Sequence, residues 1–117
     1  MILDHPTLGP VTISPMRADE FAFCCATWMK SSPWKRRDMV TVLERGDVLV
    51  ARDDAELALA WLALRDDRVC HGYVRWGLRG NGLMRALWIE AGRPTQCAEG
   101  VVRKCWPVMR RMMGESG

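Results

Sequence analysis

The apolar residues of this chain change period several times, and each change marks an element. Val11 to Met16 form a short extended segment with β-branched residues. The period then turns helical. Phe21, Cys24, Cys25 and Trp28 fall at i, i+3, i+4 and i+7, one face of a helix from about Ala18 to Lys30, with Asp19 and Glu20 in its first turn and Lys30 in its last. A second helix has Ser32 as N-cap and Pro33 at its first position, Met39, Val40 and Leu43 on its apolar face, and Gly46 closing its C-terminus.

Three strands are expected next, over Val48 to Arg52, Glu56 to Arg65 and Arg68 to Trp76. The middle one is apolar at both parities: Leu57, Leu59 and Trp61 lie on one side and Ala58, Ala60, Leu62 and Leu64 on the other, as in a strand covered on both faces. Its Ala and Leu content also suits a helix. The pair Asp66 and Asp67, a tight-turn signal leading into the next apolar run, decides for a strand.

A further helix from Gly82 to Ala91 ends at Gly92, with Pro94 beyond it. Thr95 to Cys97 reads as a short strand, and Ala98 to Met113 as a helix interrupted at Pro107. Neither a repeat nor a linker-like stretch is visible, so one mixed α/β domain spanning residues 1–117 is expected.

The stretch Arg79, Gly80, Asn81, Gly82, Leu83, Met84 sits where a strand gives way to a helix. Two glycines one residue apart let backbone N–H groups converge at the positive end of the helix dipole, which favours an anion; the bland alternative is a tight turn. Arg79 adds a guanidinium suited to a phosphate, and no Gly-Lys-Ser/Thr follows, which argues against a nucleoside triphosphate.

Composition narrows the chemistry. With 117 residues and 49% hydrophobic content the chain can bury a core, and its formal charge of +3 is too modest for a dedicated nucleic-acid binder. Arg103, Lys104, Arg110 and Arg111 read as a solvated helix face. The cysteines, Cys24, Cys25, Cys70, Cys97 and Cys105, form no Cys-x-x-Cys pair and read as buried thiols of a reducing compartment. With only His5 and His71 available, no metal site is expected. The N-terminus has no signal-peptide pattern and no apolar run is long enough to span a bilayer, so a cytoplasmic protein without a membrane partner is expected. Most of the six tryptophans belong in the core; Trp34 and Trp88, with Met109, Met112 and Met113, are candidates for an exposed protein-binding surface, with a homodimer one option.

Arg79-Gly80-Asn81-Gly82, with Gly77 at the head of the loop, resembles the pyrophosphate loop Gln/Arg-x-x-Gly-x-Gly/Ala of the GNAT acyltransferase superfamily, and the order of elements is similar to that fold. The motif's first position is Gly77 here instead of Gln or Arg. Phe21 to Ser32, Val48 to Asp53, Ala60-Trp61 and Tyr73-Val74-Arg75 further resemble the first helix and the second, third and fourth strands of small GNAT-like proteins of phages and prophages; the resemblance covers about residues 11 to 91. It implies a GNAT-like mixed sheet flanked by helices. It also implies acetyl-CoA as cofactor, its pantetheine hydrogen-bonded along Tyr73, Val74 and Arg75 and its pyrophosphate held by Arg79, Gly80, Asn81, Gly82, Leu83 and Met84.

The activity so implied is acyl transfer to an amine on a small molecule or protein. The alternative is a catalytically silent phage protein that binds a host or phage partner or assists assembly. Many such enzymes use a tyrosine in the following helix as acid, but the sole tyrosine here is Tyr73, within the strand. His71 shares its parity and is a candidate base, with core packing the alternative for both residues.

Overall fold

The computed structural model describes residues 1–31 and 36–97. Six strands form one mixed sheet in sequential order: β1 (Ile2–His5), β2 (Gly9–Pro15), β3 (Asp47–Arg52), β4 (Ala58–Arg65), β5 (Arg68–Val74) and β6 (Gln96–Cys97). Neighbours are antiparallel except β5 and β6, which run parallel through Arg68 opposite Gln96 and Val69 opposite Cys97. Helices α1 (Phe21–Ser31) and α2 (Arg36–Arg45) cover one face, and α3 (Leu83–Glu90) covers the other.

Each face has its own core. On the α1/α2 face Cys24, Trp28, Met39, Val42 and Leu43 pack on Val48, Val50, Trp61, Ala63 and Cys70. On the α3 face Leu83, Ala86, Leu87 and Trp88 pack on Val11, Ile13, Ala51, Ala60, Leu62 and Val69. The double coverage expected of β4 is present: every residue from Leu59 to Leu64 is buried. A register shift where Ala51 and Arg52 meet Ala60 and Ala58 lets Leu59 join Ala60 on the α3 face, so the expected pairing of Leu59 with Trp61 is lost. Leu57 lies before the strand, 49% exposed.

Local chemistry explains the turns. Asp66 and Asp67 both take positive φ, the two-residue turn that matches strand twist, and they join Arg65 to its partner Arg68. Gly92, at φ +90°, ends α3: its N–H bonds the Ile89 carbonyl and the Arg93 N–H bonds that of Trp88, both at 3.0 Å. Gly46 has a different role from a left-handed cap. A Cβ there would lie 2.5 Å from the Leu64 carbonyl oxygen and 2.7 Å from that of Val42, so close backbone approach demands the glycine.

Several expectations are corrected. Val42, not Val40, completes the buried face of α2 with Met39 and Leu43, because i, i+3, i+4 spacing from Met39 points there. The third expected strand stops at Val74, and Trp76 lies in a 3-10 turn, 79% exposed. Trp88 is only 1% exposed: its indole N–H donates to the Pro94 carbonyl at 2.9 Å beneath the α3 C-terminus. β1 carries no clear sequence signal, being short and followed by Pro6. The N-cap at Ser32 and Pro33, Trp34, Cys105, the helix from Ala98 to Met113 with its Met109 and Met112, and the basic residues within it all lie outside the described residues.

Candidate functional site

β5 delivers the chain to the loop before α3. Arg75 N–H donates to the Leu59 carbonyl at 3.0 Å, and since antiparallel pairing alternates, Tyr73 opposite Trp61 also points its backbone groups at β4. The groups of Val74 therefore face the other edge, toward the β6 side. There the Val74 carbonyl accepts the Arg79 Nε–H at 3.2 Å, and the Arg79 guanidinium lies 4.8 Å from the centre of the exposed Trp76 ring. The Arg75 side chain turns back to the Ala58 carbonyl (2.6 Å) and over the Phe23 ring (4.6 Å). Of the strand triplet singled out from the sequence, only Val74 thus presents its main chain outward.

The loop itself is shaped by two left-handed residues. Gly80 has φ +86° and Gly82, the N-cap of α3, φ +79°, and a Cβ on either would meet nothing within 4 Å. Glycine is needed for its backbone conformation here, not for want of room. The first bond into the helix runs from Ala86 N–H to the Gly82 carbonyl at 3.0 Å, so the amides of Leu83 and Met84 precede the helical ladder and have no intrahelical acceptor. Gly80, Asn81 and Gly82 are exposed, Leu83 is buried beneath the helix, and Met84 packs toward Gly72, where a Cβ would come within 2.7 Å of its methyl carbon.

Asn81 is anchored from afar. Its carbonyl lies 2.8 Å from Nε2 of His5 on β1, although three strands separate β1 from β5 in the sheet. This tie links the loop to a strand that sequence reasoning missed; no local signal marks it, because the partners stand 76 residues apart.

The two catalytic candidates are placed differently. His71 is 1% exposed, its ring stacked on Trp28 at 5.3 Å and tilted against Trp61 at 5.5 Å, and burial pushes its pKa down to about 4. Tyr73 is half-buried, edge-on to Phe23 at 5.9 Å, on the same α1 face of the sheet. Burial raises the thiols of Cys24 to about 12 and of Cys70 to about 11, and raises that of Cys97 as well, so none of the three is a thiolate near neutrality. Among the described residues no three His, Cys, Asp or Glu side chains converge as a metal set, and no helix is long and apolar enough to cross a membrane.

An open cleft of about 600 Å³ lies elsewhere, lined by Met16, Phe21, Leu43, Val48 and Leu49 with Arg17, Glu44 and Asp47. It is at the end of the sheet where β3 begins, opposite the glycine loop, and holds none of the candidate cofactor-binding or catalytic residues.

No protein-family model and no curated protein sequence matches this chain. Solved structures do. A Drosophila protein superposes on all of the chain with a TM-score of 0.65 at 17% identity, the match spanning 41% of that protein. Ribosomal-protein-alanine N-acetyltransferase from Brucella melitensis matches 80% of the chain over 81% of its own length, at 21% identity and a TM-score of 0.53. The GCN5-related glucosamine N-acetyltransferase region of a fungal multi-domain β-N-acetylglucosaminidase matches 71% of the chain and 12% of that protein, at 21% identity and a TM-score of 0.53. Sequential antiparallel strands closing on a parallel β5/β6 pair, with a glycine loop opening α3, thus give this chain the fold of the GNAT N-acetyltransferases.

Proposed function

We propose that this chain is an acyl-CoA-dependent N-acyltransferase, moving an acetyl group from acetyl-CoA to an amine on a small molecule or protein. The observation that carries this reading is the loop at the head of α3: Gly80 and Gly82 hold left-handed conformations with open space around them, ahead of the Leu83 and Met84 amides, which have no intrahelical acceptor. Such a loop fits a diphosphate. The guanidinium of Arg79, stacked on Trp76, stands beside it to meet the charge.

In this reading Val74 would hold a pantetheine arm through its outward-facing main chain, in place of the Arg79 Nε–H now on its carbonyl. The amine nitrogen attacks the thioester carbon, the C–N bond forms, and the C–S bond breaks with its electron pair leaving on sulfur. A backbone N–H on the outer edge of β5 serves the developing oxyanion. One proton must leave the attacking amine and one must reach the departing thiolate. Tyr73, half-buried, is the candidate for the second; His71, enclosed by Trp28 and Trp61, packs the core in this reading.

That enclosure favours one rival, a catalytically silent protein of the same fold, of the phage-encoded kind, which binds a host or phage protein. Calorimetric titration with acetyl-CoA separates the two. Micromolar binding abolished by Gly82→Val, with acetylation of an amine panel, supports the enzyme; no heat at millimolar ligand overturns it in favour of the rival. Binding without turnover would leave a coenzyme A binder and refute the transferase.

A further inference from the structure

His5 is 7% exposed at the end of the edge strand β1, and all of its polar valence is used. Nδ1 accepts the Leu8 amide at 3.1 Å and the Thr7 amide at 3.2 Å, and the Thr7 hydroxyl also lies 3.2 Å from it. Two backbone N–H groups converging on Nδ1 require a lone pair there, which puts the ring hydrogen on Nε2. That hydrogen points at the Asn81 carbonyl, 2.8 Å away.

We propose that His5 is a positioning residue for the anion-binding loop, acting through the 81–82 peptide. A trans peptide carries its C=O and N–H in opposite directions, so holding the Asn81 oxygen toward the β1 hairpin aims the Gly82 N–H away from it. Donation to the carbonyl also polarises that N–H, making it a better donor to an anionic oxygen. The 81–82 peptide turns about ψ of Asn81 and φ of Gly82, and glycine leaves that φ free, so without the tie the peptide can turn over. The hairpin β1–β2, with Thr7 and Leu8 at its turn, thus sets the tautomer that sets the loop.

This role rests on the acyl-CoA reading of the loop, and the test separates the two. His5→Phe keeps a buried ring without the donor, and His5→Gln returns an amide N–H near the Nε2 position. Kd is measured for acetyl-CoA and for S-acetyl-pantetheine, which has no phosphate. His5→Phe is expected to weaken acetyl-CoA about tenfold, the size of one lost hydrogen bond, while leaving S-acetyl-pantetheine within about twofold, and His5→Gln is expected to recover most of the loss. Equal weakening of both ligands, or acetyl-CoA affinity unchanged in His5→Phe, overturns the positioning role alone. Failure of the wild-type chain to bind acetyl-CoA overturns the functional reading, and the role falls with it. Should His5→Phe not fold, His5→Gln and the imidazole ¹⁵N shifts of the wild type carry the test: an Nδ1–H tautomer refutes the proposal.

Discussion

Arg52, at the end of β3, and Glu20, in the 3-10 turn before α1, form a buried bidentate pair, with Nε to Oε2 at 2.6 Å and Nη2 to Oε1 at 2.5 Å. The guanidinium also reaches the Ser14 hydroxyl at 2.6 Å and the Pro15 carbonyl at 2.9 Å, and Glu20 accepts the Arg17 amide at 2.8 Å. Arg52 and Glu20 are both buried and each finds further partners, so β2, β3 and the start of α1 are joined at one point.

Removing either partner should be costly. Arg52→Met or Glu20→Gln is expected to lower unfolding free energy by about 3–5 kcal/mol, because a buried charge loses its counter-charge, whereas the double replacement should cost less than the sum of the two. Chemical denaturation of the four proteins reads this. Burial alone would raise the Glu20 carboxyl, but the Arg52 hydrogen bonds, the Arg17 amide and the Arg52 charge outweigh it and hold it below the usual range. The pair's contribution is therefore complete above the unfolded carboxylate value near ~4.3 and is lost as pH falls through the lower folded value. Glu20→Gln should not show that acid step.

His71 produces a second, distinct acid limb. Its folded pKa of about 4 lies below the value of a free imidazole near ~6.5, so the unfolded chain takes up a proton first as pH drops. Stability should be full above pH ~6.5 and fall by about 3 kcal/mol as pH descends from there through the folded value. Denaturant midpoints between pH ~7 and ~4 measure it, and His71→Phe, which keeps a ring between Trp28 and Trp61, should be nearly flat over that window.

The glycine loop should respond by backbone and not by side chain. Gly80→Val or Gly82→Val places a β-branched residue at positive φ and is expected to cost about 1–2 kcal/mol in stability, with a larger loss in acetyl-CoA affinity. Asn81→Ala, exposed and tied through its carbonyl, should change either quantity by less than about twofold in equilibrium constant. Calorimetry beside thermal melts compares them; equal affinity in all three variants would refute the proposed anion site.

Two tryptophans should behave oppositely. Trp88→Ala empties a fully buried site beneath α3 and removes the bond to Pro94, an expected loss of about 3–5 kcal/mol. Trp76→Ala, at 79% exposure, should leave stability within about 0.5 kcal/mol. Melting curves of the two variants distinguish an exposed Trp76 surface from an exposed Trp88 surface.

What the sequence alone determined is what neighbours along the chain can determine. Period and the Gly92 stop located α3 over Gly82 to Ala91, one residue beyond its observed limits at each end; the Asp66-Asp67 pair placed the β4–β5 hairpin; apolar residues at both parities marked β4 as covered on two faces. These signals act over one helical turn or one hairpin, where φ preferences and side-chain spacing dominate. Packing in three dimensions is what buries Trp88, spends the Arg75 amide on β4, brings Arg52 to Glu20 across 32 positions and His5 to Asn81 across 76. Such pairings depend on which strands become neighbours and how α3 lies over them, and neither follows from the local pattern of any one segment.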